Sequence, residues 1–140
     1  DPMTISRVEG RQQLGVGWVS HVLQRLVVAL WEDGHVQRLM ADAAAAYTAR
    51  RRALVDALAE HDLRASGSSG LNVWVPVPDE QAALRRLLDA GWAASAGERF
   101  RLRSEPAIRL SIGRLPVAEA PAVAAALGAP SPRPARTRTG

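Results

Sequence analysis

Gly70-Leu71-Asn72-Val73-Trp74-Val75-Pro76, then Gly97-Glu98-Arg99-Phe100, then Arg101-Leu102-Arg103-Ser104-Glu105-Pro106-Ala107-Ile108-Arg109-Leu110-Ser111-Ile112, make up the stretch on which the fold turns. With the helical segment between the first two pieces, it reads as strand, helix, short strand, strand. Leu71, Val73, Val75 and Val77 alternate with Asn72, Trp74 and Pro76, the period of two that a strand with one buried face requires. Ile108, Leu110 and Ile112 alternate in the same way with Ala107, Arg109 and Ser111, which puts Arg109 on the face away from the apolar core. Between the strands, Asp79 suits the N-cap of a helix reaching about Ala90, with Ala83, Leu84, Leu87 and Leu88 inward and Gly91 as its stop. Trp92-Ala93-Ala94 offers the short second strand.

Outward from this stretch the chain is helical. Residues 1–13 place Ile5, Val8 and Gln12 loosely at helical spacing, and Leu14-Gly15-Val16-Gly17 reads as a turn. A helix over 18–31 carries Val19, Val22, Leu23, Leu26, Val27 and Leu30, with Val28 and Ala29 filling much of its other side; a helix so apolar all round wants burial between layers. Gly34 breaks it, and a long helix over 35–61 carries the stripe Val36, Leu39, Met40, Ala43, Tyr47, Leu54 and Leu58. Residues 63–70, with Gly67-Ser68-Ser69-Gly70, form a flexible connection. A last helix over 116–127 turns Ala120, Val123, Ala124 and Leu127 inward, provided that Pro121 sits in its first turn. The resulting architecture is α+β: a helical N-terminal part, then a small three-stranded antiparallel sheet packed by helices. The expected division is 1–33 for the N-terminal helices, 34–128 for the sheet-containing domain and 129–140 for a basic, proline-rich tail with nothing apolar to bury, expected to be disordered.

Composition bounds the function. At 140 residues, 47% hydrophobic and 23% charged, the chain suits one soluble domain of moderate core. No cysteine is present, which removes disulfides, thiolate metal sites and a cysteine nucleophile and leaves a reducing cytoplasm as the expected compartment. Neither a signal peptide nor a run long enough for a membrane span is evident. The net charge of +4 invites a nucleic-acid reading. Much of that charge lies in Arg50-Arg51-Arg52 and in Arg133, Arg136 and Arg138, without the aromatic platforms of single-strand binders or a helix-turn-helix or zinc-finger spacing. All 18 basic residues are arginine, so an arginine on a polar strand face is by default a solvated surface group.

The order Gly-Leu-x-Val-Trp-Val-Pro, Gly-x-x-Phe and Ile-Arg-Leu-Ser changes that default for Arg109. It resembles the C-terminal small domain of fold-type I aminotransferases that use pyridoxal 5'-phosphate, most of all the aminotransferase-like half of MocR/GntR-type transcriptional regulators. The resemblance covers about residues 4–127. It implies that residues 1–33 are the last helices of a truncated large domain and that 34–128 is the aminotransferase small domain. It also implies that Arg109 holds the α-carboxylate of an amino acid or amine-type substrate or effector. A guanidinium suits that role because its planar fork pairs a carboxylate bidentately, as an ammonium cannot. The family binds its cofactor as a Schiff base on a lysine, and this chain contains no lysine, so transamination by this polypeptide alone is excluded by residue inventory. The implied partners are a missing large domain or a homodimer partner, with DNA reached only through a separate N-terminal winged-helix domain.

Other residues weigh less. Gly15-x-Gly17 lacks the preceding strand, third glycine and lysine of a phosphate loop and is better read as a plain turn; by resemblance alone it would approach the partner subunit's site. His21, His35 and His61 never fall at i, i+4, so no metal site is expected, and Ser20-His21 are helix neighbours that do not face one another. Glu98 and Glu105 read as solvated loop carboxylates. Trp74, on the strand face opposite the core, covers a domain or subunit interface or packs at the periphery of its own domain; the sequence leaves both open. Three functions therefore stand in order: a C-terminal aminotransferase-like portion with Arg109 as its carboxylate clamp, a non-catalytic interaction module that completes a partner chain, and, last, an arginine-rich nucleic-acid binder whose affinity would fall steeply with salt.

Overall fold

Alternation along two short segments builds the sheet that carries everything else. In the computed structural model, which describes residues 1–15 and 19–128, β1 (Asn72–Pro76), β2 (Ser95–Ala96) and β3 (Ala107–Ser111) form one antiparallel sheet in the order β1-β3-β2. The register pairs Val73 with Leu110 and Val75 with Ile108 on one face, and Trp74 with Arg109 on the other. The first set is buried and the second half-exposed, as period-two patterning demands.

The described helices are α1 (Pro2–Gln13), α2 (His21–Glu32), α3 (Gly34–Glu60), α4 (Glu80–Asp89) and α5 (Ala120–Gly128), with 3-10 turns at Gly97–Arg99 and Val117–Glu119. Two compact units divide within α3, Asp1–Asp42 and a second beginning at Ala43. In the second unit, Leu54 and Leu58 of α3, Leu87 of α4 and Val123 and Leu127 of α5 join Val73, Val75, Ile108 and Ile112 in one apolar core. Leu54, Leu58, Leu87 and Ile108 are wholly buried, each contributing on the order of 2 kcal/mol in transfer free energy.

The ends of α4 follow from two residues. Asp79 accepts from the Ala82 amide at 3.0 Å, satisfying one of the donors that a helix start leaves unpaired. Gly91 adopts φ +86, and the Gly91 and Trp92 amides donate to Leu88 and Leu87 at 2.9 and 2.7 Å, the paired bonds of a Schellman terminus.

The structure corrects several sequence expectations. The second strand lies at Ser95–Ala96 rather than at Trp92-Ala93-Ala94, because Trp92 is occupied in closing α4. Leu88 is 65% exposed rather than inward, since it lies one position off the row defined by Ala83 and Leu87. The break before α3 falls at extended Asp33, whose carboxylate caps the His35 and Val36 amides, and Gly34 is already helical. The last helix begins as a 3-10 turn and becomes α-helical at Ala120, with Pro121 in its first turn. The connection before β1 is not featureless: Ser66 and Trp74 exchange two backbone hydrogen bonds of 2.8 Å on the outer edge of β1.

In the first unit, α1 and α2 bury no residue, and Val22, Leu23, Leu26, Leu30 and Trp31 of α2 remain between 46 and 76% exposed. The burial that its all-round apolarity calls for is not supplied within that unit. Among the described residues no helix is long and apolar enough to cross a membrane. Gly17 and the expected disordered tail 129–140 lie outside the described residues.

Candidate functional site

The polar face of the sheet carries a row of residues at right angles to the strands. Ser66 pairs with Trp74, Trp74 with Arg109, and Arg109 with Ser95. Residues directly opposite in antiparallel strands project to the same side, so this face presents tryptophan, arginine and serine in sequence. Arg109 sits on the central strand, flanked on both sides.

Its guanidinium carbon lies over the Phe100 ring, 3.9 Å from the centroid, a cation–π stack. Among the described residues the Arg109 side chain makes no hydrogen bond and no ion pair. The guanidinium is therefore half-buried, held over an aromatic ring, and keeps its N–H donors unused by protein acceptors. Such a fork is prepared for an external planar anion.

Phe100 reaches this position through a tight turn. The Phe100 and Arg101 amides donate to the Gly97 carbonyl at 2.8 and 3.0 Å. Gly97 is glycine for want of space: a Cβ there would lie 2.3 Å from the Ala107 carbonyl oxygen and 2.8 Å from Cη2 of Trp74. The Trp74 indole thus rests on the backbone of Gly97, beside the start of β3.

The turn is tied down by Glu80, the first residue of α4, which is only 8% exposed. One carboxylate oxygen accepts from the Glu98 amide at 3.0 Å; the other accepts from the Ala107 amide at 3.0 Å and from Nε of Arg101 at 3.1 Å. The Ala107 amide foremost, then the Glu98 amide and the Arg101 guanidinium, hold this carboxyl below the ordinary glutamate range against the opposing pull of burial.

Of the residues singled out in the sequence, Arg109 and Trp74 are brought together. Gly15 is exposed in the first unit. His21, His35 and His61 are exposed, and no cluster of metal-ligating side chains occurs among the described residues. The Glu98 and Glu105 side chains are exposed, and Glu98 takes part through its amide alone. Glu80 and Ser95 were not anticipated. A carboxylate at the first helical position looks like ordinary support of the helix dipole, and nothing in the sequence marks its partners 18 to 27 residues away.

Residues 5–127 match the family described as aminotransferase class I and II. Over 101 residues the chain is 34% identical to the vitamin B6 salvage pathway transcriptional repressor PtsJ of Salmonella typhimurium strain LT2, an alignment covering 71% of this chain and 24% of that protein. The chain thus spans about a quarter of the length of that curated relative.

Proposed function

Because the chain belongs to the aminotransferase class I and II family, we propose that it is the small-domain portion of an aminotransferase-like protein of MocR/GntR type, with Arg109 as its clamp for an amino-acid carboxylate. The observation that carries this is the Arg109 guanidinium, half-buried over Phe100, whose N–H donors meet no acceptor among the described residues. A carboxylate meeting that fork gains two parallel charge-assisted hydrogen bonds and a fixed orientation. Phe100 closes one face of the guanidinium plane, which directs an anion to the edge where the donors lie.

Pyridoxal phosphate, when bound in this family, supplies an electron sink for the substrate's α-carbon. The residues of this chain do not provide its covalent attachment, since no lysine occurs among them, and no step through the cofactor is assigned to them. The attaching amine would come from polypeptide outside these 140 residues. The chain's own part is to bind and orient the carboxylate. In a regulator, that orientation would be the event read out by a DNA-binding domain.

The test is reconstitution with a polypeptide carrying the lysine-bearing large domain, followed by titration with an amino acid in the presence of pyridoxal phosphate. Loss of a charged, bidentate pair costs about 2–3 kcal/mol, so Arg109→Ala should raise the half-saturating amino-acid concentration roughly 30- to 150-fold while cofactor binding persists. Equal amino-acid affinity in both proteins would remove Arg109 from this role. A second assignment, an interaction module that completes a partner chain without catalysis, draws on the uncovered apolar surface of α2. It predicts assembly with that partner but no amino-acid response.

A further inference from the structure

Among the described residues the Arg109 guanidinium stacks on the Phe100 ring, and the turn that carries that ring is tied to a residue on another element. Phe100 lies in the connection from β2 to β3, in a segment with little core contact: Leu102 is 99% exposed and Phe100 itself 48%. Beyond the seat of Gly97 against Trp74, a segment so exposed gains little fixed shape from apolar packing. Its other tie is to Glu80. The amides of Glu98 and Ala107 and the Nε of Arg101 converge on that single buried carboxylate. These donors bracket Phe100 on both sides, and Ala107 opens the strand on which Arg109 lies two residues later.

We infer that Glu80 is a positioning residue for the carboxylate clamp: by tying the 97–107 segment to the start of α4, it stacks Phe100 under Arg109 and so aims the guanidinium fork. This rests on the assignment of Arg109 as the clamp, and extends it to a residue that never touches the ligand.

The chemistry requires a carboxylate rather than an amide. Three donors, two of them backbone N–H groups on different oxygens, need acceptor capacity at both ends of the side chain. A glutamine offers an oxygen at one end and an NH2 at the other. Whichever way it turns, one backbone amide faces a donor and the tie is half undone. The negative charge also forms an ion pair with Arg101, which a neutral amide would not.

The chain contains a single phenylalanine, which makes the test direct. The full 140-residue chain is prepared with para-fluorophenylalanine, so that its one fluorine resonance reports the surroundings of the Phe100 ring. Arg109→Ala fixes the value of that resonance with no cation over the ring. Glu80→Gln should move the wild-type resonance more than half of the way to that value while far-ultraviolet circular dichroism remains native. A wild-type resonance in folded Glu80→Gln would overturn the inference, even if the variant were less stable. Should Glu80→Gln fail to fold, Arg101→Met decides: a smaller displacement in the same direction supports the tie, and none overturns it. No ligand is present in this experiment, so its failure is separate from failure of the carboxylate assignment, which the reconstituted amino-acid titration reads independently.

Discussion

Replacing Gly97 by alanine tests the contact on which the site is assembled. The added methyl carbon would fall 2.3 Å from the Ala107 carbonyl oxygen, 2.9 Å from the Ala107 carbonyl carbon and 2.8 Å from Trp74 Cη2. Ordinary contact begins about 1 Å further out, and two of the three obstacles are backbone of the central strand, which cannot swing aside as a side-chain tip can. Either β3 shifts away from the turn or the turn lifts off Trp74. Overpacking of this kind costs about 1–3 kcal/mol, and rigid backbone in the way places it in the upper half of that range. In thermal unfolding followed by circular dichroism, about 2 kcal/mol corresponds to a fall in Tm of roughly 8–16 °C for a domain of this size. Tryptophan emission should shift as Trp74 loses its seat. A Gly97→Ala protein with unchanged Tm and unchanged emission would refute the close approach of the turn to β3, and with it the account of how Phe100 is placed.

Three further outcomes follow from the same structure. Leu58→Ala, at a wholly buried position between helix and sheet, should destabilise the chain by about 2–5 kcal/mol in urea unfolding, and a loss under 1 kcal/mol would mean that this core is not closed. Gly91→Ala meets no atom within 4 Å but must hold φ +86, so its cost is purely conformational, about 1–2 kcal/mol; a D-alanine at the same position in a synthetic chain should restore stability. The Glu80 carboxyl, lowered by the Ala107 and Glu98 amides and by Arg101, contributes stability that is fully present above the ordinary glutamate range and is lost as pH falls through its depressed folded value. Tm measured against pH should therefore decline on acidification more steeply for wild type than for Glu80→Gln, and parallel curves would contradict the hydrogen-bonding geometry.

The sheet and its two faces were legible because period two is hard to imitate. Sliding one strand by a single residue would turn its apolar set outward, so the pattern puts Arg109 and Trp74 on the polar face, but their pairing comes from the register alone. The α4 boundaries were legible because Asp79 and Gly91 act on atoms within a few residues of themselves. The second strand was not, since two residues carry no period and Ser95-Ala96 has no β-branched or aromatic member. Glu80 was hidden for a different reason. Two of its partners are backbone amides, which every residue but proline possesses, and only the folded path of the chain selects Glu98 and Ala107 from all the others. The stacking of Phe100 on Arg109 depends on that same path. The candidate site was thus readable where a side chain's role follows from its strand position, and unreadable where it follows from loop geometry.

The strand order β1-β3-β2 has a kinetic consequence. The two outer strands do not pair with each other, so every hydrogen bond between the named strands waits for residues 107–111, the last of the three to be synthesised. Until then β1 is held at its outer edge by Ser66 alone among the described residues; pairing β2 with β3 closes only the short turn between Ala96 and Ile108, whereas pairing β1 with β3 must close a loop of about thirty residues between Pro76 and Ala107. The strand bearing Arg109 is therefore the closing piece of the sheet. A nascent chain halted before it would expose Val73 and Val75 without their β3 partners, and would be a target for proteolysis or aggregation.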